Sequence, residues 1–328
     1  MRHAALRYEA LATTAKAGDQ QRTCTLLGLG AVAIMAGASI IDLAGPEATS
    51  GPVAMAGPQS GTSRAAATPS GSRVTPASPE WTFGGYGGIT HTRPSTVTIA
   101  GDGKTDLKVK DFNWIGRPFK APIYYGLRTQ RWSQFVPLGG MVDFTHAKAI
   151  AKSSDQASFS GTIDGKPAAP KAKIGDMFRH LEFSHGHNMV TLNGLARLAP
   201  WWARLRPYVG VGAGVSLPHT EIGFRKKKER TYEYQFAGFV GQALAGIEIQ
   251  LGRASVFVEY KFTYAPYDVP LSHEPYGWLL VTDLWRQASA WWRGEKPPGG
   301  RLQTTLISHH GIAGVLIKNR SYMDAVTH

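Results

Sequence analysis

The residues of this 328-residue chain that could do chemistry extend segments of alternating apolar residues. His146 and Lys148 extend one such segment, and His219 and Glu221 extend another. Imidazole and carboxylate groups can move protons or bind a hard or borderline divalent metal, whereas lysine and arginine hold phosphate groups. The candidates for catalysis are His146, His219, Glu221 and Glu182, the first three also for metal binding, and those for substrate binding are Lys148, Asn188, Arg225, Lys226, Lys227 and Lys228.

These candidates depend on segments whose side chains alternate with the period of a β-strand from Trp81 onward. In the fifth segment, for example, Val209 and Val211 alternate with Gly210 and Gly212. The pattern predicts strands at 81–93, 119–132, 135–150, 181–198, 205–222, 232–251, 254–268 and 302–318.

The two faces of these strands differ in the direction expected for a membrane protein. One face is apolar, and the other carries glycine or charged side chains such as Glu259 and Lys261, which suit the inside of a barrel whose outside faces lipid. The connections alternate between short turns and longer polar loops, as in bacterial outer-membrane barrels. The sequence thus predicts an all-β fold over 80–319, an eight-stranded antiparallel up-and-down transmembrane β-barrel with short periplasmic turns and long extracellular loops.

The N-terminal part of the chain is typical of an exported protein. Basic residues precede an apolar run from Leu26 to Met35 and an A-x-A pattern, which predicts a cleaved signal peptide over 1–38. An uncleaved anchor is the alternative, although the run is short for a membrane-spanning helix. Residues 39–79 are rich in Gly, Pro, Ser and Ala and are predicted to be a disordered linker, and 320–328 form a C-terminal tail. The expected location is the outer membrane of a Gram-negative cell.

The composition separates this chain from soluble α/β enzymes. Glycine (38 residues) and proline (20) are abundant, whereas charged residues make up only 18%. The net charge of +13 indicates an anionic partner, and because no zinc-finger, RRM or helix-turn-helix pattern accompanies it, nucleic acid is not expected. The single cysteine, Cys24, lies in the predicted signal peptide, so the mature chain would have neither a disulfide nor a cysteine-ligated metal.

A first group of polar residues points into the predicted barrel. An eight-stranded barrel is too narrow for a channel, so these side chains form either a plug of ion pairs and hydrogen bonds or a catalytic lumen. Buried charges must pair, which favours the plug. The group comprises Tyr124, Arg128, Asp143, Thr145, Thr191, Asn193, Arg197, Gln242, Glu248, Glu259 and Lys261.

A second polar group points outward at the long-loop end of the third to sixth predicted strands. Because these strands are neighbours, His146, His219, Glu221 and Glu182 could form one patch at headgroup height, below the basic loop 225–230. The outer leaflet consists of lipopolysaccharide, a phosphorylated glucosamine disaccharide on acyl chains, so the patch would face sugar and phosphate groups. The plainer alternative is that strands protruding past the hydrocarbon simply carry polar residues.

The last outer loop contains an insertion, 275–300, with a helical pattern in its middle. The pattern predicts an amphipathic helix that either lies on the membrane surface or forms a lid over the barrel mouth. Its apolar stripe comprises Val281, Leu284, Trp285, Ala288 and Trp292.

Several segments together resemble a known family, the lipid A oxidases of rhizobial type. The more discriminating segments are 143–149 (DFTHAKA) and 181–195 (LEFSHGHNMVTLNGL). The resemblance covers about 81–318, the whole predicted barrel. The other similar segments are 81–92 (WTFGGYGGITHT), 124–128 (YYGLR), 207–219 (PYVGVGAGVSLPH), 232–235 (YEYQ) and 257–264 (FVEYKFTY).

The resemblance implies oxidation of the proximal glucosamine of lipid A to 2-aminogluconate, with O2 as the electron acceptor. It is compatible with a divalent metal but leaves the cofactor open. It assigns no role to any residue, and the insertion 275–300 with His185 and His187 departs from the family's pattern. The chemistry of the side chains suggests the roles instead. Lys148 and the loop 225–230 would bind phosphate. His146, His219 and Glu221 would bind a metal or move protons at glucosamine C1, and Glu182 would be a further base or ligand.

Two other functions remain open on the sequence. A lipid A deacylase would need a serine nucleophile beside a histidine base, and Ser184 is the rim serine with suitable neighbours. A non-enzymatic, OmpA-like structural or lipopolysaccharide-binding barrel would need no particular residue at the rim. In each case the expected protein is a membrane-embedded monomer whose partner is lipopolysaccharide.

Overall fold

The computed structural model describes residues 80–198, 204–273 and 279–319. The predicted signal peptide with Cys24, the linker and the C-terminal tail lie outside these ranges and stay predictions. Within the described ranges, no helix has both the length and the apolar character needed to cross a membrane.

The described residues form one antiparallel sheet of sixteen strands and two helices. The predicted all-β class is therefore confirmed. The elements are β1 (Glu80–Thr92), β2 (Val97–Ala100), β3 (Asp106–Lys110), β4 (Trp114–Ile115), β5 (Tyr125–Trp132), β6 (Leu138–Ala151), β7 (Gln156–Ile163), β8 (Lys166–Pro167), β9 (Lys171–Lys173), α1 (Ile174–Met177), β10 (Phe178–Arg197), β11 (Leu205–Ser216), β12 (His219–Phe224), β13 (Thr231–Tyr234), β14 (Gly238–Leu251), β15 (Ala254–Pro270), α2 (Leu280–Trp292) and β16 (Arg301–Lys318).

Eight of the described strands pair in a closed order, which we call the ring. From β1 the order runs through β5, β6, β10, β11, β14 and β15 to β16, and β16 pairs back with β1. The closing register begins with Thr82 opposite Lys318. Beside it, the amide of Asn319 donates to the carbonyl of Trp81 (3.0 Å). The first and last strands of the ring therefore satisfy each other's backbone groups.

Side chains alternate across the ring wall, with apolar groups outside and charged groups inside. Val211 is 68% exposed and Phe239 is 73% exposed, whereas Arg128 and Glu259 are buried. A water-soluble barrel would have the opposite polarity, because its apolar side chains would fill the inside. The predicted apolar outer face and polar inner face are both confirmed.

The charged side chains inside the ring form ion pairs that solvent does not reach. Arg128 donates from two nitrogens to the two oxygens of Glu259 (2.7 and 2.9 Å), and Lys261 Nζ donates to Asp143 Oδ2 (2.6 Å). The hydroxyl of Tyr208 adds a hydrogen bond to Glu259 (2.7 Å). All four charged side chains have no exposed surface, so each depends on its partner for stability. The predicted plug of ion pairs and hydrogen bonds is confirmed for these residues.

Two of the predicted strands, 205–222 and 232–251, are interrupted in the structure. β11 ends before Pro218, which has no backbone N–H to donate to a neighbouring strand. On the neighbouring chain segment, Gly238 opens β14 with a φ of 129°, a conformation that favours glycine. Beyond these breaks, β12 pairs with β10 and β13, and β13 pairs within the described residues only with β12.

The long connections are not the polar loops that the sequence predicts. Segments 93–124 and 152–177 form short strands, and β2, β3 and β7 extend the sheet outward from β16. Val97, Leu107 and Phe159 belong to a hydrophobic core that these strands share with ring residues at the long-connection end, such as Phe183 and Leu306. β2 and β3 have only four and five residues, which gives too few alternating positions to establish a period, so their burial was not predicted from the sequence.

Candidate functional site

The outward residues predicted for catalysis and substrate binding lie on three neighbouring strands at the long-connection end of the ring. β10 pairs with β6 on one side and with β12 on the other. In these registers Asn188 lies opposite His146, and Glu182 lies opposite Glu221. The structure places His146 and Lys148 on β6, Glu182 and Asn188 on β10, and His219 and Glu221 on β12.

Two carboxylates form the centre of this patch. His180 Nδ1 lies 2.8 Å from Glu182 Oε1 and 3.4 Å from Glu221 Oε1. Arg230 donates to the same Glu221 oxygen (2.6 Å). Burial raises the pKa of Glu221, the positive charges of His180 and Arg230 oppose this, and the Glu182 carboxylate reinforces it. Glu221 therefore holds a proton more readily than an isolated carboxylate would, whereas the hydrogen bond and charge of His180 outweigh burial and lower the pKa of Glu182.

A bulge in β10 brings a second histidine to the carboxylates. The register between β10 and β6 shifts between Phe183 and His187, where Gly186 has a φ of 144°. His185, inside this bulge, places its Nδ1 3.7 Å from Glu221 Oε2. About a quarter of its side chain is exposed (26%), so an outside ligand can reach it.

The predicted catalytic residue His219 is part of an aromatic cluster. Its ring meets Tyr232 and Tyr234 edge-on, with centroids 4.5 and 4.7 Å away, and lies 5.1 Å from the ring of His185. The side chain is buried. This arrangement lets His219 position His185 and the tyrosines rather than contact a bulky substrate itself.

The predicted residues on β6 have defined partners beside the carboxylates. His146 Nδ1 lies 2.8 Å from Asn188 Oδ1, and its ring stacks on Tyr125 (4.8 Å between centroids). Its other nitrogen, Nε2, has no hydrogen-bond partner among the described residues. Lys148 donates to the backbone carbonyl of Lys120. His146 thus keeps one nitrogen available within a buried setting.

One donor set in the described part of the chain could hold a metal ion. His180 Nδ1 and one oxygen from each of Glu182 and Glu221 lie within 4.8 Å of one another. One imidazole and two carboxylates suit a divalent ion such as Mn²⁺, Fe²⁺ or Zn²⁺. This set differs from the predicted one of His146, His219 and Glu221, because Asn188 engages the first histidine and the tyrosines surround the second.

The predicted phosphate-binding loop lies at the far end of β12, and its contacts run to other connections. Arg225 donates to the Gly175 carbonyl (2.6 Å), and Lys227 Nζ lies 2.5 Å from Asp164. Lys226 and Lys228 are exposed. The cation that reaches the carboxylates is Arg230, at the end of the loop.

The geometry around Ser184 does not support the deacylase alternative. Ser184 Oγ lies 3.3 Å from His185 Nδ1, the same nitrogen that faces Glu221. A serine hydrolase needs the nucleophile on one imidazole nitrogen and the orienting acid on the other. Here both groups share one nitrogen, so the histidine cannot relay between them.

Two residues of the patch, His180 and His185, were not predicted as site residues from the sequence, whereas Arg230 belongs to the predicted loop 225–230. His180 precedes Glu182 by two positions, so the period of the strand was a sufficient signal that both share a face. The position of His185 depends on the bulge at Gly186, which simple alternation does not reveal.

Comparisons with known proteins add no assignment. No protein-family model and no curated protein matches this chain. The resemblance of segments such as 143–149 and 181–195 to lipid A oxidases therefore stays a prediction. Function has to be inferred from the patch and from the surface around it.

Proposed function

We propose that this protein is an outer-membrane enzyme that oxidises the proximal glucosamine of lipid A to 2-aminogluconate with O2. In this proposal the ring is an eight-stranded transmembrane β-barrel, and the active site is the outward patch around Glu182 and Glu221. The observation that carries the proposal is the location of these groups. Two partly exposed histidines meet two carboxylates on the outward side of β10 and β12, while inside the ring Arg128 and Lys261 are paired with Glu259 and Asp143.

The membrane placement is supported by the polarity of the ring. An outer surface with Val211, Phe239 and Val258 exposed would be costly in water, but it is the surface that a lipid-facing barrel presents. The closed strand order leaves the paired backbone groups satisfied, as a hydrocarbon environment requires. The long connections would then lie outside the cell, which places the patch at the level of the lipid headgroups.

The substrate class is supported by the chemistry at that level. Lipid A presents glucosamine hydroxyls and phosphate groups where the patch offers carboxylates, imidazoles and cations. Arg230, whose side chain is 29% exposed, is positioned to contact phosphate, and the exposed Lys226 and Lys228 add positive charge farther out. The oxidation of C1 needs a free hydroxyl at that carbon.

In the proposed reaction two electrons leave C1 of the terminal sugar. The C1 hydroxyl loses its proton, the C1–H bond breaks, and O2 accepts the electrons and both protons to become H2O2. Water then opens the resulting lactone to the aminogluconate. His185 is placed to accept the hydroxyl proton, since it lies beside Glu221 and is reachable from outside. A redox-active divalent ion held by His180, Glu182 and Glu221 would supply the electron path to O2.

The test is mass spectrometry of lipid A from a host that lacks the activity and expresses the full chain. We expect a gain in mass of one oxygen atom on the proximal sugar, only in air. The variant Glu221→Gln should abolish the gain, whereas Glu229→Gln, an exposed position in the adjoining loop, should preserve it. Heat-modifiable migration in gels would show that both variants fold.

Other outcomes would support the alternatives. Loss of an acyl chain would return attention to Ser184 and a deacylase. Unchanged lipid A with a folded protein would favour a structural or lipopolysaccharide-binding barrel. In that case the contacts of Arg230 and His180 with the Glu221 carboxylate would stabilise the protein and have no catalytic role.

A further inference from the structure

Helix α2, in the last long connection, is attached to the protein through its polar side. Asp283 is buried and accepts a hydrogen bond from the amide of Tyr234 (3.0 Å). One turn later, Gln287 Oε1 accepts from the amide of Phe236 (2.8 Å), and its Nε2 donates to the carbonyl of Phe236 (3.2 Å). The helical pattern predicted in 275–300 is confirmed, with its polar face toward the protein.

This orientation has a backbone cause. Residues 234–236 continue the edge of β13, which within the described residues has only β12 as a strand partner. An unpaired strand edge exposes N–H and C=O groups that need partners. Asp283 and Gln287, four residues apart on one helix face, supply those partners in place of a neighbouring strand.

The opposite face of α2 is apolar and uncovered. Val281, Trp285, Ala288 and Trp292 follow one another at spacings of four, three and four residues, and all are exposed. Trp285 is 74% exposed and Trp292 is 84% exposed. Large aromatic side chains contribute strongly to binding when they are buried, so such a stripe marks a surface that meets an apolar partner.

Apolar packing does not fix the inner side of the helix either. A cavity of about 810 Å³ separates it from the strand ends, with Leu217, Ala237 and Pro270 on one side and Leu284 and Trp291 on the other. The helix is therefore held mainly by hydrogen bonds, and most of its apolar surface lacks a partner within the described protein.

We propose that the exposed stripe of α2 inserts into the outer-leaflet interface and anchors the last connection to the lipid surface. Phe236, on the segment that binds α2, contacts Phe239 on the outer face of β14 (6.1 Å between ring centroids). Helix α2 is thus attached beside the apolar outer surface of the ring, so that one lipid phase could cover this surface and the stripe. Tryptophan favours this interfacial level, where its ring is partly apolar and its N–H stays hydrated. The inference rests on the membrane placement in the proposed function and not on the reaction.

Site-directed spin labelling of the full chain tests this placement. In a Cys24→Ser background, single cysteines replace Ala288 in the stripe, Ala213 on the outer face of the ring and Glu229 in the β12–β13 turn. The labelled proteins are reconstituted in vesicles of phosphatidylethanolamine and phosphatidylglycerol. Collision with apolar O2 and with a water-soluble nickel chelate reports the depth of each label, and gel migration confirms folding.

We expect lipid exposure for Ala288→Cys and Ala213→Cys and water exposure for Glu229→Cys. Water exposure of Ala288→Cys with lipid exposure of Ala213→Cys would overturn the anchor and leave the membrane placement standing. Water exposure of both would overturn the membrane placement as well. Spin–spin broadening at Ala288→Cys would overturn the lipid partner in favour of a second copy of this chain.

Discussion

Inside the ring, Arg128 and Lys261 each meet a carboxylate in a space without solvent, whereas on the outer patch Glu221 faces a second carboxylate, Glu182. The interior charges are matched in number and sign, and Tyr208 adds a further hydrogen bond. The patch contains two carboxylates that share one histidine, of which Glu182 is partly exposed and Glu221 is buried. Carboxylates of the same wall thus lie beside cations in the interior and beside each other on the patch.

The difference separates stability from chemistry. A fully paired network in a low dielectric resists any change of charge, so it holds strands in register but cannot easily bind a cation or move a proton. Two neighbouring carboxylates with adjacent, partly exposed histidines can do both. We therefore assign the hypothetical catalytic role to the outer patch and a role in stability to the interior charges.

The largest effect is expected from breaking the interior network. Asp143→Ala leaves Lys261 without its carboxylate and should lower the free energy of unfolding by about 3–5 kcal/mol. Asp268→Ala is the matched control, because the Asp268–Arg301 pair is exposed and should contribute at most about 1 kcal/mol. The measurement is the urea midpoint of the refolded protein. Equal midpoints for the two variants would show that the interior pairs are not essential for stability.

A smaller effect is expected on cation binding at the patch. His180→Ala should weaken the binding of Mn²⁺ at least about tenfold, because it removes a donor from the set with Glu182 and Glu221. His219→Phe should preserve binding, since that ring packs among tyrosines. Isothermal titration calorimetry measures both. The reverse order would favour the predicted ligand set that contains His219.

The acid side of the pH profile should shift when the patch loses a cation. Arg230 lowers the pKa of Glu221, which burial raises, so Arg230→Gln should raise that pKa further. If the Glu221 carboxylate must be ionised for oxidation, activity is lost as the pH falls through this pKa. The acid limb should then move to higher pH by about one unit. A limb that stays in place would exclude Glu221 as the ionising group.

The smallest effect is expected at the serine beside His185. Ser184→Ala removes one hydrogen bond to an imidazole that Glu221 also faces, so the oxidation rate and the acyl chains of lipid A should both stay unchanged. Mass spectra of lipid A test this. Retention of an acyl chain that the unsubstituted protein removes would establish a deacylase.

Most of the ring could be predicted from the sequence, because long strands with one apolar face show a clear period of two. β15 and β16 illustrate this, since both lie within a few residues of the predicted bounds. The breaks at Pro218 and Gly238 depend on how strands diverge in space, and the strand 119–132 begins only at Tyr125 for a similar local reason, as Pro122 cannot donate a backbone hydrogen bond.

The sequence predicted which strand face carries the site residues, but it did not predict which of their atoms are in contact. Alternation placed His146, Glu182 and Glu221 on one side of the wall, and the registers bring them onto adjacent strands. Which atoms meet depends on the bulge at Gly186 and on the hairpin that carries Arg230. Both are tertiary features, so spacing along the chain cannot supply them.

The seam between β1 and β16 has a consequence for the covalent order of the chain. Trp81 and Asn319 are hydrogen-bonded neighbours, so a few added residues could join the two ends of the ring. A circular permutant opened at the Gly252–Arg253 turn would then contain every native strand pair in a different sequential order. The architecture would be conserved, but β14 would become the last strand to leave the ribosome. Comparing the folding of the two proteins would separate the effect of strand topology from the effect of synthesis order.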